Sequence, residues 1–368
     1  MAPLARHLPL SRTPAFRHLG PNWYAAVMGT AGVANAGATL PLDAPGLRGA
    51  CAALWTLSLL ALLMLLAARA LHWAHHRDQA REHLLDPAVA PFYGCLSMAL
   101  VSVGGGALIV GHDWIGLPAA VRLDAVLFAA GTGIGLVAAV VVPYLMVVHH
   151  KVESASPVWL VPVVAPMVSA ALGPLLVPHL PAGQWQQTLL AACYGMFGLS
   201  LLATLVMLPL VFGRLVTGEP LPAALTPTLF LVLGPLGQST TAANTFADAA
   251  PGLPYAPALA VLYGVPVMGF ALLWLALAGA MALRARRRGM GFTMTWWAFT
   301  FPVGTCVTGA EGLAQHTGLA ALRWLAVGLY VLLVAAWLVA AERTLRGLLS
   351  GALLAAPRVP RPARVRTT

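Results

Sequence analysis

The sequence predicts an all-α polytopic membrane protein of ten transmembrane helices arranged as five helical hairpins, on three observations. The first is composition: 60% of the 368 residues are hydrophobic and 9% charged, with a mean hydropathy of +0.82, against about 25% charged residues in a soluble domain. The second is length: ten apolar stretches each reach the ~20 residues that a helix needs to cross the hydrocarbon core. The third is an alternation between two kinds of stretch.

Residues 1–21 hold Arg6, Arg12 and Arg17 among prolines and read as a basic cytosolic arm ahead of a transport domain over 22–348. The first apolar stretch, 22–40, is interrupted by Gly29, Gly32 and Gly37 and carries Thr30 and Asn35. The second, 49–73, is a Leu-rich run closing on His72, His75 and His76. These histidines have ligand-like spacing, but beside Arg77 at the end of a span they read as an interfacial cluster rather than a metal or haem site. The third, 90–111, contains Gly104, Gly105 and Gly106 with Ser97 and Ser102, and the fourth, 119–148, returns to Leu, Ala and Val. Pro162, Pro166, Gly173 and Pro174 then break 157–180, whereas 186–213 is smooth. Gly234, Pro235 and Gly237 break 221–247, with Gln238, Ser239, Thr240, Thr241 and Asn244 following, and 255–283 is again dominated by Leu, Ala and Val.

The ninth stretch, 294–315, opens on Trp296 and Trp297, whose amphipathic indoles suit the lipid headgroup level. Pro302 lacks the donor for the Ala298 carbonyl and predicts a kink inside this helix, beside Phe299 and Phe301. Gly304, Thr305, Thr308 and Gly309 follow it. The tenth, 318–348, is again Leu-rich, and residues 349–368 form a basic, Pro-rich cytosolic tail.

Helices with freed carbonyls and small residues need protein or water around them, while Leu-rich helices tolerate lipid. The alternation therefore predicts an inner ring of five kinked helices around a pore and an outer ring of five Leu-rich helices. Orientation follows from charge. Of 21 Lys and Arg residues, only Arg48, Arg122 and Arg323 fall in one set of connections, so the other set and both termini belong in the cytosol of a multi-pass cell-membrane protein. The net charge of +10 lies in inter-helix segments and tails, not on one soluble face, and excludes a nucleic-acid partner.

Four isolated cysteines without a C-x-x-C pair imply neither metal nor disulfide chemistry. A haem-binding oxidoreductase needs a mid-bilayer histidine, which the segments lack, so neither an enzyme nor a cofactor is expected. No broken segment carries a charge near its middle. Glu311, His316 and Asp248 fall toward the outer ends, as a solvated vestibule or as an outer ion or proton site. The uncharged polar residues of the broken segments suit a neutral wet path. Five helices pointing their positive dipole ends at the cytosolic mouth favour an anion there.

Four blocks carry a family resemblance: P-N-W-Y-A-A-V-M-G-T-A-G-V at Pro21 to Val33, S-P-V-W-L-V-P-V-V-A-P at Ser156 to Pro166, G-P-L-G-Q at Gly234 to Gln238, and W-W-A-F-T-F-P at Trp296 to Pro302. The chain resembles the tellurite-resistance and dicarboxylate-transporter family of slow anion channels, malate permeases and sulfite efflux pumps, with the first and third blocks closer to the malate and sulfite branch. The resemblance implies transport of a C4-dicarboxylate such as malate, or of sulfite, by a homotrimer with a pore through each subunit. A proton-coupled carrier and a tellurite-resistance transporter remain open beside a channel. It also implies a phenylalanine gate on the ninth helix, carried to Phe301 with Phe299 in reserve. Gly29, Thr30, Gly32, Gly105, Pro166, Pro235, Gln238, Pro302, Gly304 and Thr305 are the expected pore-lining or kink residues.

Overall fold

The computed structural model of the protein describes residues 19–42, 44–149, 154–250 and 252–353, so the arm up to residue 18 and the tail from residue 354 lie outside the described residues. Those residues form helices and turns without a strand. In chain order the α-helices are α1 (Tyr24–Thr39), α2 (Leu47–His75), α3 (Arg77–Leu85), α4 (Tyr93–Gly106), α5 (His112–Ile115), α6 (Leu117–Val148), α7 (Leu160–Leu172), α8 (Gln184–Thr217), α9 (Leu233–Asp248), α10 (Ala256–Arg287), α11 (Phe301–Thr317) and α12 (Ala320–Leu349).

Seven helical stretches among the described residues are long and apolar enough to cross a membrane: Leu47–His75, Ala90–Ile115, Leu117–Val148, Pro157–His179, Gln184–Thr217, Ala256–Arg287 and Ala320–Leu349. The remaining three expected segments contain α1, α9 and α11, of 16, 16 and 17 residues. At 1.5 Å per residue these α-helices run about 24–26 Å, short of a core about 30 Å thick. Each is preceded by a 3-10 segment, at Pro21–Trp23, Ala223–Val232 and Met294–Phe299.

Burial separates the two kinds of helix. The apolar windows of Ala90–Ile115 and Pro157–His179 are 83% and 89% buried, whereas those of α2, α6, α8, α10 and α12 are 22–28% buried. Successive helices pack in pairs, α1 on α2, α4 on α6, α7 on α8, α9 on α10 and α11 on α12, and α9 on α11 is the most extensive contact. Proline does not make the distinction that the sequence suggests. Pro143, Pro209 and Pro266 lie inside the exposed helices α6, α8 and α10, since neighbouring groups can take up the backbone carbonyls that a proline frees.

Exposed helices also satisfy carbonyls of buried ones. Trp55 Nε1 donates to the Val103 carbonyl at 2.9 Å, Ser200 Oγ to Val163 at 2.6 Å, and Trp274 Nε1 to Leu229 at 2.9 Å. Buried backbone that departs from α geometry, such as the π-helix Ala107–Gly111 after α4, is tolerated in an apolar bundle when protein groups complete its hydrogen bonds.

Two expectations at the ninth segment are corrected. Pro302 is not an internal kink. The chain breaks at Thr300 (φ −100°, ψ −82°), and α11 starts at Phe301 with Pro302 in its first turn, where the missing N–H has no intrahelical partner to lose. Trp296 and Trp297 are not a headgroup belt either, being 7% and 3% exposed. Their indole N–H groups donate to the Gly291 carbonyl at 3.1 Å and to Thr344 Oγ1 at 3.0 Å, which removes the polar atom that would hold them at the lipid interface.

Candidate functional site

α1, α4, α9 and α11, with Leu172 and Leu175, enclose a cavity of about 200 Å³. It opens toward the end of the bundle where α1, α9 and α11 finish. Its wall carries hydroxyls and amides: Asn35 and Thr39 of α1, Ser102 of α4, Gln238, Thr241 and Asn244 of α9, Thr305 and Thr308 of α11. No Lys or Arg is among the described lining residues, and the ionisable ones are Glu311 and Asp248.

Hydrogen bonds between helices fix these side chains. Asn35 Nδ2 donates to the Ser102 carbonyl at 2.9 Å, joining α1 to α4. Thr241 and Thr308 share a hydroxyl contact of 2.7 Å, and Asn244 Nδ2 donates to the Gly309 carbonyl at 3.2 Å, joining α9 to α11. Thr305 Oγ1 lies 2.7 Å from the Pro302 carbonyl of its own helix and 3.3 Å from the Leu233 carbonyl of α9. Close approach makes these bonds possible, and Gly237 supplies it. A Cβ there would stand 2.5 Å from the Cys306 backbone nitrogen and against Thr305 Oγ1.

Phe301 borders the cavity at the start of α11. It is 6% exposed and borders both the polar cavity and a void of about 20 Å³ on its other side, lined by apolar residues including Met28, Met98, Val164 and Leu231. A Cβ on Gly32 would stand 3.5 Å from Cδ2 of the Phe301 ring, so the ring lies against bare backbone. Phe299 borders neither space. It packs edge-on against Phe230, with ring centres 4.7 Å apart, and against Trp296 at 5.7 Å.

The other expected lining residues divide. Gly32, Gln238, Gly304 and Thr305 line the cavity, and Pro302 borders the apolar void. Gly29 faces Thr300 and Trp297 instead, and Gly105 faces Leu172. Thr30 accepts a bond from Trp337 Nε1 at 3.0 Å, toward α12. Pro166 lies inside α7 and Pro235 in the first turn of α9, both buried and bordering neither space.

Glu311 is placed differently from a solvated vestibule residue. It is 2% exposed, its Oε2 accepts a 2.6 Å bond from Thr39 Oγ1, and its Oε1 is buried with no hydrogen-bond partner. His316 stands nearer the opening, with its two ring nitrogens 3.0 Å from Asn244 Oδ1 and 2.9 Å from Asp248 Oδ1. The sequence reading did not single out two polar residues, Thr39 and Asp124. Thr39 ends α1, 272 positions from its partner, and no local pattern announces that pairing. Ser102, one of the polar residues expected along a neutral wet path, lies at the cavity wall. Asp124 of α6, 1% exposed, is buried on an exposed helix against Gly104, and a single Asp inside an apolar run is its only signal.

A sequence profile of the voltage-dependent anion channel (SLAC1) family matches residues 18–345, nearly the whole chain. The chain belongs to this family. Among its relatives, an uncharacterized transporter of Methanocaldococcus jannaschii is 26% identical over 347 residues, covering 93% of this chain and 96% of that protein. A sulfite efflux pump of Arthroderma otae is 26% identical over 320 residues, covering 82% and 83%, and one of Trichophyton rubrum is 25% identical over the same length and shares. The family and these relatives are transporters and channels, and membership makes this a multi-pass membrane protein of an anion-transporting class.

Chemically, the cavity wall is polar and carries no fixed cation among its described residues, which suits passage of a small ion better than tight binding. α11 begins at Phe301, so the positive end of its dipole lies beside that buried ring rather than at the bundle surface.

Proposed function

We propose that the protein moves a small anion across the cell membrane along a neutral path through each subunit, with the ring of Phe301 as its gate. The observation that carries this reading is a single side chain bordering a polar, cation-free cavity on one face and an apolar void on the other. A narrow apolar constriction blocks an ion sterically and by excluding water. The five buried helices α1, α4, α7, α9 and α11 form the inner ring, the five exposed ones the outer ring, and the 3-10 segments extend the short helices to full spans. The subunits assemble as a homotrimer.

Sulfite is the preferred cargo, supported by the relatives named as sulfite efflux pumps and by a cavity of about 200 Å³ that suits a compact oxyanion. Purified protein in lipid vesicles is expected to pass labelled sulfite faster than labelled malate. Malate flux exceeding sulfite flux at equal gradients would move the assignment to a C4-dicarboxylate, and flux of neither would end the anion-path reading.

The excess of Lys and Arg in one set of connections supports a topology with both termini in the cytosol. Gln184 and Arg288 are exposed at opposite ends of the bundle, and the four native cysteines are buried. In a cysteine-free variant of intact cells, an impermeant thiol reagent should label Gln184→Cys and spare Arg288→Cys. Position 184 serves better than Gly183, whose φ of 94° disfavours any side chain. The reverse labelling would invert the topology.

A further inference from the structure

We infer that Glu311 is a proton-binding site inside the anion path, taking up a proton as an anion enters the cavity and releasing it as the anion leaves. This rests on the anion-path reading above and adds to it the form in which charge is carried.

Glu311 is a carboxyl group in the wall of a cavity proposed to hold an anion. A bare carboxylate there repels its cargo in a poorly screened space, and two negative groups that share a site favour protonation of one of them. No cation among the described residues pairs with Glu311. The neighbours within electrostatic reach are Cys51 of α2 and Tyr330 of α12. At the same end of the bundle Arg48 is paired with Asp113 at 2.6 Å, with His112 beside that carboxylate, and His316 of α11 with Asp248 of α9 at 2.9 Å. From α1, the Thr39 hydroxyl reaches the carboxylate.

That hydroxyl suits both protonation states. Thr39 Oγ1 lies 2.6 Å from Glu311 Oε2, 3.1 Å from the Asn35 carbonyl and 3.4 Å from the Ala36 carbonyl. With Glu311 ionised, the single hydroxyl proton goes to Oε2. When solvent at the cavity opening delivers a proton to the carboxylate, hydronium becomes water and the carboxylate becomes the acid. Thr39 can then turn its proton to the Asn35 carbonyl and accept from the acid. The heavy atoms stay in place, and Oε1, which has no partner, is the open position. Depth separates this group from a vestibule acid: Glu311 is 2% exposed, whereas the Asp248 side chain is 58% exposed.

The test measures anion and proton movement together in vesicles loaded with a pH-sensitive dye, with sulfite and malate as probes and outside pH stepped between about 5 and 8. The wild-type protein is expected to move protons with the anion and to change its flux with pH. Glu311→Gln keeps the shape and loses the titration, so its remaining anion flux should vary with pH only as the cargo's own ionisation does, with fewer protons moved per anion than in wild type. Proton movement that persists in Glu311→Gln and disappears in His316→Gln would overturn the assignment. So would wild-type anion flux with neither proton movement nor pH response, which leaves the anion path standing. Wild-type vesicles passing neither anion would bring down both. If Glu311→Gln does not fold, Thr39 carries the test: Thr39→Val should displace the pH midpoint of flux and Thr39→Ser restore it, and an unmoved midpoint in Thr39→Val overturns the inference.

Discussion

Phe301→Ala is expected to raise anion flux per molecule about tenfold or more, equivalent to lowering the barrier by about 1.4 kcal/mol. The ring lies between the polar cavity and the apolar void, and truncation joins the two into one space that water and a partly hydrated anion can enter. Gly32 offers no side chain to refill the gap. A ring that served only in packing gives the opposite sign, since Phe→Ala in a core costs about 3–5 kcal/mol of stability and yields less protein with no gain in flux. Phe301→Leu should fall between wild type and Phe301→Ala. Phe299→Ala is the internal control: it loses edge contacts with Phe230 and Trp296 and should lower stability without raising flux. Vesicle flux at matched protein levels checks all three variants against wild type. Unchanged flux in Phe301→Ala with the fold intact would remove the gate from this residue.

Fold class was legible because the bilayer imposes a length and an apolarity that any sequence must display, and the burial contrast was legible because lipid accepts Leu but not open backbone. Two details failed for the same reason. Pro302 and the paired tryptophans were assigned by what such residues do in an isolated helix. Here Thr300 breaks the chain before Pro302, and Thr344 and Gly291 take up the indole N–H groups that lipid headgroups were expected to hold. At the site, Gly32, Gln238, Gly304 and Thr305 were legible as small or polar residues on broken helices. Gly29, Thr30 and Gly105 carry the same signature yet face neighbouring helices, because polar or small character marks a helix contact and a cavity wall alike. Glu311 was found by type and misplaced in depth. Its burial depends on Thr39, a contact between the end of the first helix and the middle of the penultimate one.

The α9–α11 contact should be the most sensitive part of the fold to an added methyl group, and Gly237→Ala is the substitution that shows it. A Cβ at this position would lie 2.5 Å from the backbone nitrogen of Cys306. Ordinary contact needs about 3.5 Å, so the helices must separate by about 1 Å. A backbone nitrogen inside a helix cannot swing aside as a side chain does. The separation stretches the bonds that seat the cavity wall, Thr241 to Thr308 at 2.7 Å and Asn244 to Gly309 at 3.2 Å, and it displaces the helix that carries Phe301. Overpacking of this kind costs about 1–3 kcal/mol, occasionally more. Gly133→Ala is the matched control, on the exposed face of α6 with no atom within 4 Å of the new Cβ, where Ala in place of Gly gains up to about 1 kcal/mol of helix propensity. Thermal unfolding of the two variants in detergent should therefore move in opposite directions, with Gly237→Ala also losing or deregulating flux. Equal melting temperatures for Gly237→Ala and wild type would mean that α9 and α11 can part without penalty, and that the cavity wall they form is not held by this contact.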